Sequence, residues 1–159
     1  MEVKNMSRAS AIILKDNKVA LIERRNGIHE HLYYIYPGGG VEKGETIEEA
    51  TIREVEEETG LVVTIEKLIA EVIFRENVQY YYLTKIIGGK FGEGNGPEMR
   101  GLYDESHGTY NAIWMCVEDL LKNPVYPECV SRIIVDSFKK GWPKEIKKNK
   151  DNDKIARSN

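Results

Sequence analysis

Residues 39–61 read GGVEKGETIEEATIREVEEETGL and contain the clearest secondary-structure signal of the chain. Thr46 followed by Glu49 has the spacing of a capping box, in which two side chains satisfy the first free amides of a helix. Gly60 stands where a left-handed residue commonly ends a helix. The pattern therefore predicts a helix of about four turns over residues 46–59.

Seven glutamates lie between positions 45 and 58 of this stretch. With about 100° between successive residues, Glu54 and Glu58 share one face of the predicted helix with Ile47 and Ala50. Two like charges one turn apart repel by about 0.2–0.5 kcal/mol unless a cation neutralises them. Hard divalent cations take oxygen ligands, and Mg²⁺ typically uses one or two carboxylates together with phosphates and water. The charge pattern alone fits both a solvated acidic face and half of a magnesium site.

The same stretch matches the Nudix box, G-x5-E-x7-R-E-U-x-E-E-x-G-U with U aliphatic, at every fixed position. Seven such coincidences are expected by chance on the order of once in a million sequences of this length. The chain therefore resembles the Nudix hydrolases, and the resemblance implies an α/β fold, an α/β/α sandwich with a mixed, curved β-sheet, over residues 1–143. The residues that carry it are Gly39, Glu45, Arg53, Glu54, Glu57, Glu58 and Gly60, with Val55 and Leu61 at the aliphatic positions.

The resemblance also implies hydrolysis of the pyrophosphate in a nucleoside diphosphate linked to another group, with Mg²⁺ or Mn²⁺ as cofactor. Carried over by position, Glu54 and Glu58 become the principal metal ligands. Glu57 becomes a ligand or the base that activates water, and Glu45 a further or water-mediated metal contact. Arg53 is expected to hold these carboxylates in place, because a guanidinium fork suits bidentate carboxylate pairing.

Three glycines follow Pro37 directly before the box helix, and they are candidates for contact with the substrate. Glycine allows a close backbone approach, and successive amides can bind an anion. We expect an irregular loop here, formed by Gly38, Gly39 and Gly40.

Aromatic side chains are the candidates for binding a nucleobase. Tyr34 and Tyr36 alternate onto one face of a predicted strand, and Tyr80 and Tyr82 onto one face of another. Base stacking by Tyr34, Tyr36 and Tyr82 is one interpretation of this pattern. Packing of the sheet against helices is the other.

Residues 88–108 hold seven of the 14 glycines and predict a long loop, of the kind that is often functional. Nudix enzymes commonly draw an extra ligand or general base from outside the box. The loop offers two candidates for that catalytic role, Glu98 and Glu105, and we place Glu98 first because Pro97 restricts the backbone beside it.

Residues outside the box bear on the substrate. ADP-ribose enzymes of the family tend to have a proline about 16 residues past Gly60, where this chain has the polar Glu76 and Asn77. A tyrosine that marks dinucleoside polyphosphate hydrolases is at best displaced to Tyr80. A nucleoside or deoxynucleoside triphosphate, including a damaged one, is the expected substrate. A dinucleoside polyphosphate hydrolase and a non-catalytic nucleotide-binding sensor are the alternatives.

Composition sets the remaining expectations. The net charge of −3 is not that of a nucleic-acid-binding protein, and no apolar run approaches the length of a membrane span. We therefore expect a cytoplasmic monomer or homodimer whose partner is a small-molecule nucleotide, with no nucleic acid and no membrane. Apolar stretches over 9–14 and 19–22 predict a hairpin, residues 128–140 an amphipathic helix, and residues 144–159 a polar, disordered tail.

Overall fold

The structure, a computed structural model, describes residues 7–25, 31–97, 99 and 108–150. A short 3-10 helix over Val117–Lys122 accompanies the strands and α-helices. The elements are β1 (Arg8–Ile12), β2 (Leu14–Lys15), β3 (Lys18–Arg25), β4 (Leu32–Ile35), β5 (Gly38–Gly40), α1 (Ile47–Thr59), β6 (Leu61–Phe74), β7 (Asn77–Gly89), β8 (Thr109–Cys116), β9 (Val125–Tyr126), α2 (Glu128–Lys140) and β10 (Lys147–Lys150).

The strands form two sheets between the two helices. The first sheet has the order β10-β6-β7-β1-β5 and is mixed, because β1 is parallel to β7 and antiparallel to β5. The second has the order β2-β3-β4-β9, with β8 also paired to β3. Helix α1 packs on the first sheet, while Val130 and Ile134 of α2 join a core that includes residues of both sheets. The α/β fold and its mixed sheet are confirmed.

The predicted hairpin over residues 9–14 and 19–22 is largely wrong. Strand β1 pairs with β7 and β5, and only the two residues of β2 pair with β3. The chain leaves the first sheet near Ile13 and enters the second. Burial explains the difference, because residues 9–13 are all buried, as in an interior strand covered on both faces.

Both predicted helices are confirmed. In α1, Thr46 Oγ1 accepts from the amide of Glu49 at 3.0 Å, and Glu49 Oε1 accepts from the amide of Thr46 at 2.9 Å. Gly60 ends the helix with φ of 82°. Helix α2 has the predicted bounds, and its buried Val130 and Ile134 face the core.

The expectation of an irregular loop at residues 38–40 is wrong, since Gly38–Gly40 is strand β5 and pairs with Arg8–Ser10. The glycines are needed for close packing. A Cβ on Gly38 would lie 2.3 Å from the carbonyl oxygen of Ala9. Strand β5 therefore lies closer to its neighbours than a side chain would permit.

Part of the segment expected to be a tail is a strand. Residues 147–150 form β10, which pairs in parallel with β6 at the edge of the first sheet. All four of its residues are exposed, so the pairing is made by the backbone. Residues 151–159 lie outside the described part of the chain, and the domain boundary at 143 stays a prediction.

Candidate active site

The inner end of the site is formed where α1 meets β5. Glu58 is only 4% exposed, and its Oε1 accepts a hydrogen bond from the amide of Gly38 at 2.7 Å. Val55 anchors the helix in a core cluster beneath it. The helix face predicted from the sequence thus turns Glu54 and Glu58 toward the glycine strand, and both line the same cavity.

Arg53 is the centre of the carboxylate cluster. Its Nε and Nη2 donate to the two oxygens of Glu45 at 2.7 and 3.0 Å. Its Nη1 donates to Glu54 at 2.9 Å and to Glu57 at 3.2 Å, and Nη2 also donates to the carbonyl of Gly40 at 3.1 Å. A guanidinium has five N–H donors, and these five acceptors match them. The geometry is that of a group that fixes carboxylates.

The two carboxylates that share Arg53 have opposite electrostatic environments. Burial raises the pKa of Glu54, and contact with Arg53 offsets only part of that effect. The hydrogen bonds from Arg53 lower the pKa of Glu45, with burial opposing them. Glu54 therefore carries a destabilised negative charge in the protein alone, which a bound cation would relieve.

Gly39 leaves the space that the Glu54 carboxylate occupies. A Cβ on Gly39 would lie 2.3 Å from Glu54 Oε1 and 2.7 Å from Oε2. At Gly40, by contrast, a Cβ would meet no atom of the described residues within 4 Å. The second glycine of β5 thus positions a predicted metal ligand.

A cavity of about 310 Å³ extends from these carboxylates between the two sheets. Its carboxylate end contains the glycines of β5. Its other end is aromatic. The described residues that line it are Arg8, Arg24, Tyr33, Ile35, Tyr36, Gly38, Gly39, Gly40, Glu54, Glu58, Phe74, Gln79, Tyr81, Tyr110 and Tyr126.

Arginine and tyrosine side chains from four strands meet at the aromatic end. The guanidinium carbon of Arg24 lies 3.7 Å from the ring centroid of Tyr110 and 5.9 Å from that of Tyr33. The ring of Tyr126 meets Tyr33 edge-on at 6.5 Å. None of these residues was predicted from the sequence, because they come together only when β3, β4, β8 and β9 pair.

The predicted tyrosines have three different surroundings. Tyr36 lines the cavity, but its hydroxyl is buried and lies 2.7 Å from Ser131 Oγ. Tyr34 is in the hydrophobic core, and Tyr82 donates to Glu48 on the face of β7 that meets α1. Neither Tyr34 nor Tyr82 lines this cavity; Tyr33 and Tyr81, one residue earlier on the same strands, do.

The remaining predicted site residues lie elsewhere. Glu45 and Glu57 contact Arg53 and do not line the cavity. Glu98 and Glu105 lie outside the described residues.

The donor set fits a hard divalent cation that shares its coordination with a substrate. Within the described ranges, no three His, Cys, Asp or Glu side chains surround a common position. Two carboxylates, Glu54 and Glu58, nevertheless line the cavity together, and Mg²⁺ often takes only one or two carboxylates plus phosphate and water oxygens. Helix α1 therefore supplies the two carboxylates that such a cation needs from the protein.

Comparison with known families assigns the chain. The family described as NUDIX domain matches residues 4–133. The chain belongs to the NUDIX family. Residues 39–61 are its NUDIX box, and α1 carries Glu54, Glu57 and Glu58, three of the four glutamates at its fixed positions. No helix in the described part of this NUDIX protein is long and apolar enough to cross a membrane.

Two curated relatives share about a third of their aligned residues with this NUDIX chain. An ADP-ribose pyrophosphatase from Methanocaldococcus jannaschii is 34% identical over 99 residues, which are 58% of this chain and 58% of the relative. A putative nudix hydrolase 1 from Caenorhabditis elegans is 34% identical over 122 residues, 74% of this chain and 30% of the relative. The chain thus spans less than two thirds of either relative.

Solved structures share the fold at low sequence identity. A NUDIX hydrolase from Nitrosomonas europaea matches with a TM-score of 0.69 and 18% identity, covering 94% of this chain and 80% of its own. An ADP-ribose pyrophosphatase from Streptococcus suis matches with a TM-score of 0.63 and 16% identity, covering 93% of this chain and all of its own. These likenesses establish the NUDIX fold.

Proposed function

We propose that this chain is a metal-dependent hydrolase of the pyrophosphate linkage in a nucleoside diphosphate derivative. The observation that carries the proposal is the cavity itself, in which Glu54 and Glu58 line one end and aromatic rings line the other. A nucleotide has two ends that match this arrangement. Its polyanionic phosphates need a cation, and its flat base stacks on aromatic rings.

Glu54 and Glu58 are the residues that would hold the cation. When bound, a divalent ion neutralises non-bridging phosphate oxygens and orients the attacking water. Arg53 holds the carboxylates in position through its contacts to Glu45, Glu54 and Glu57. Gly40 leaves the backbone of β5 open to the phosphates, because a Cβ there would meet no described atom within 4 Å.

Glu57 is the first candidate for the base that takes the proton of the attacking water. Among the glutamates at fixed positions of the box that contact Arg53, it has the most exposed side chain, and only its Oε2 contacts Arg53. Glu98 and Glu105 are the alternatives from the glycine-rich loop. If Glu57→Gln retains the parental kcat while Glu98→Gln or Glu105→Gln loses it, the base lies in that loop.

Two substrate classes are supported by different observations. The residues after the box favour a nucleoside or deoxynucleoside triphosphate, because the ADP-ribose proline is replaced by polar Glu76 and Asn77. The relative from M. jannaschii, whose name is ADP-ribose pyrophosphatase, favours ADP-ribose. Both contain a nucleoside diphosphate, so the same carboxylate end serves either one.

A nucleotide panel with Mg²⁺ or Mn²⁺ tests the proposal. The panel contains the nucleoside triphosphates, ADP-ribose and a dinucleoside polyphosphate, and chromatography identifies the products. We expect cleavage at the pyrophosphate with an absolute requirement for the metal. Nucleotide binding without any turnover, in the presence of either metal, would contradict the proposal and indicate a sensor.

A further inference from the structure

A row of three residues crosses the first sheet along the cavity. Gln79 of β7 lies beside Arg8 of β1, and Arg8 lies beside Gly40 of β5. All three line the cavity. Because paired strands are about 4.8 Å apart, Gln79 is about 10 Å, or two strand spacings, from the glycine strand. A ribose can bridge that distance between a phosphate at β5 and a base beside Gln79.

The side chain of Gln79 is polar and buried, and only one of its two polar atoms forms a hydrogen bond with a described residue. It is 7% exposed, and its Oε1 accepts a hydrogen bond from the Tyr81 hydroxyl at 2.8 Å. Among the residues that the structure describes, its amide nitrogen has no hydrogen-bond partner. A buried donor without a partner is costly, so it is normally satisfied by water or by a ligand. The contact with Tyr81 fixes the oxygen and leaves the nitrogen for whatever enters the cavity.

Gln79 lines the cavity together with several flat rings. Tyr81 meets Tyr36 edge-on with ring centroids 5.9 Å apart, and Phe74 lines the same space from the neighbouring strand β6. Tyr33 and Tyr110 complete the lining toward Arg24. Such a lining suits the faces of a base, and stacking by itself distinguishes poorly between bases. Discrimination therefore needs a polar group such as Gln79.

We propose that Gln79 selects the nucleobase of the substrate by donating a hydrogen bond from its side-chain amide to an acceptor on the base edge, a ring nitrogen or a carbonyl oxygen. The proposal rests on the nucleotide hydrolase function proposed above and adds a specificity-determining residue to it. Tyr81 is the positioning residue, because its hydroxyl holds the amide oxygen. A base that turns an N–H toward Gln79 is rejected, since two donors would face each other.

Binding of reaction products tests this without requiring turnover. Calorimetry gives Kd for the four nucleoside 5′-monophosphates with the parent chain, Gln79→Leu and Gln79→Glu. The preferred nucleotide is then compared with analogues that each lack one acceptor, either a ring nitrogen replaced by C–H or a carbonyl oxygen removed. We expect the parent to bind one analogue about tenfold more weakly than the preferred nucleotide.

In Gln79→Leu, that analogue and the preferred nucleotide should bind with equal affinity, because the donor is gone. Gln79→Glu should lose more affinity for the preferred nucleotide, since a carboxylate would face the acceptor. With the hydrolysed substrate, the same variants should raise KM and leave kcat nearly unchanged. Tyr81→Phe should weaken discrimination without abolishing binding.

Thr84→Val is the matched control for loss of a buried hydrogen bond on the same strand. Thr84 donates to the carbonyl of Ile12 at 3.0 Å and does not line this cavity. The control should lower the melting temperature and keep the parental preference among analogues. Equal binding of all analogues by the parent, or an equal loss for all of them in Gln79→Leu, would overturn the proposal. A parent that discriminates as expected but hydrolyses nothing would contradict the proposed function instead.

Discussion

Glu45 and Glu54 both contact Arg53, yet their pKa values shift in opposite directions. Because partial burial raises the pKa of Glu54, its ionised form opposes folding at neutral pH. In Glu54→Gln we therefore expect the metal-free protein to keep or gain stability, while kcat/KM with Mg²⁺ falls at least about 100-fold. Glu58→Gln should lose activity similarly. Urea denaturation and steady-state kinetics measure the two effects.

Glu56→Gln is the control on the same helix, since Glu56 is exposed and points away from the cavity-lining face. It should retain parental activity. Parental activity in both Glu54→Gln and Glu58→Gln would remove these carboxylates from the metal site.

Acid stability should depend on Glu45. Its folded-state pKa is lowered by Arg53, so its stabilisation is present above the unfolded carboxyl pKa of about 4.3 and is lost as pH falls through the lower folded value. Glu45→Gln should flatten the dependence of unfolding free energy on pH in this acid range. Exposed Glu66 forms no ion pair with any described residue, so Glu66→Gln should keep the parental slope. Equal slopes for Glu45→Gln and the parent would contradict the pairing.

The box residues could be predicted because the box is a local pattern within one short stretch of sequence. The residues that line the cavity could not be predicted. Alternation along β7 separates its residues into two faces, but only the order of the strands decides which face borders the site. The aromatic pattern predicted that the face of β7 with Tyr82 borders the site. The structure places the other face there, since Gln79 and Tyr81 line the cavity. Sequence spacing likewise cannot predict the contact between Arg24 and Tyr110.

Strand β5 shows why neighbouring glycines in one element have different functions. In Gly38→Ala the new Cβ would meet backbone atoms of Ala9, which cannot easily move, so we expect about 1–3 kcal/mol of destabilisation. In Gly39→Ala it would meet the end of the flexible Glu54 side chain. Stability should change little there, while metal-dependent activity falls because the carboxylate is displaced.

Gly88→Ala is a matched control on β7, where the nearest atom to a new Cβ is 3.9 Å away on Val62. It should preserve both melting temperature and activity. Retained activity in Gly39→Ala, with a shifted melting temperature, would show that the glycine serves packing alone.

Elements with local signals were predicted well, and elements with distant partners were not. The caps of α1 lie within the helix and its flanks, so Thr46 and Gly60 mark both of its ends. Strand β1 instead pairs with β7, near the middle of the chain, and nothing in the sequence of residues 8–12 indicates which strand is the partner. Strand β6 stays continuous over Leu61–Phe74 because register shifts near Lys67 absorb extra residues in its pairing with β7.

At the scale of the whole molecule, the site lies between two sheets while β10 lies at the far edge of the first. Strands β6, β7 and β1 separate β10 from β5, so the end of the chain is remote from the carboxylates. The exposed side chains of β10 also contribute little apolar burial. Its contribution to stability should therefore come mainly from backbone hydrogen bonds to β6.

Removing residues 144–159 tests this arrangement. We expect kcat and KM to match the parent, and the melting temperature to fall by only a few degrees, because exposed edge pairing adds little stability. The truncation keeps Pro143, whose carbonyl accepts a hydrogen bond from Lys67 on β6 at 2.5 Å, so the preceding chain stays attached to the sheet. Differential scanning calorimetry and steady-state kinetics measure both quantities. A large loss of activity without unfolding would mean that residues in the removed segment reach the substrate, which the position of β10 argues against.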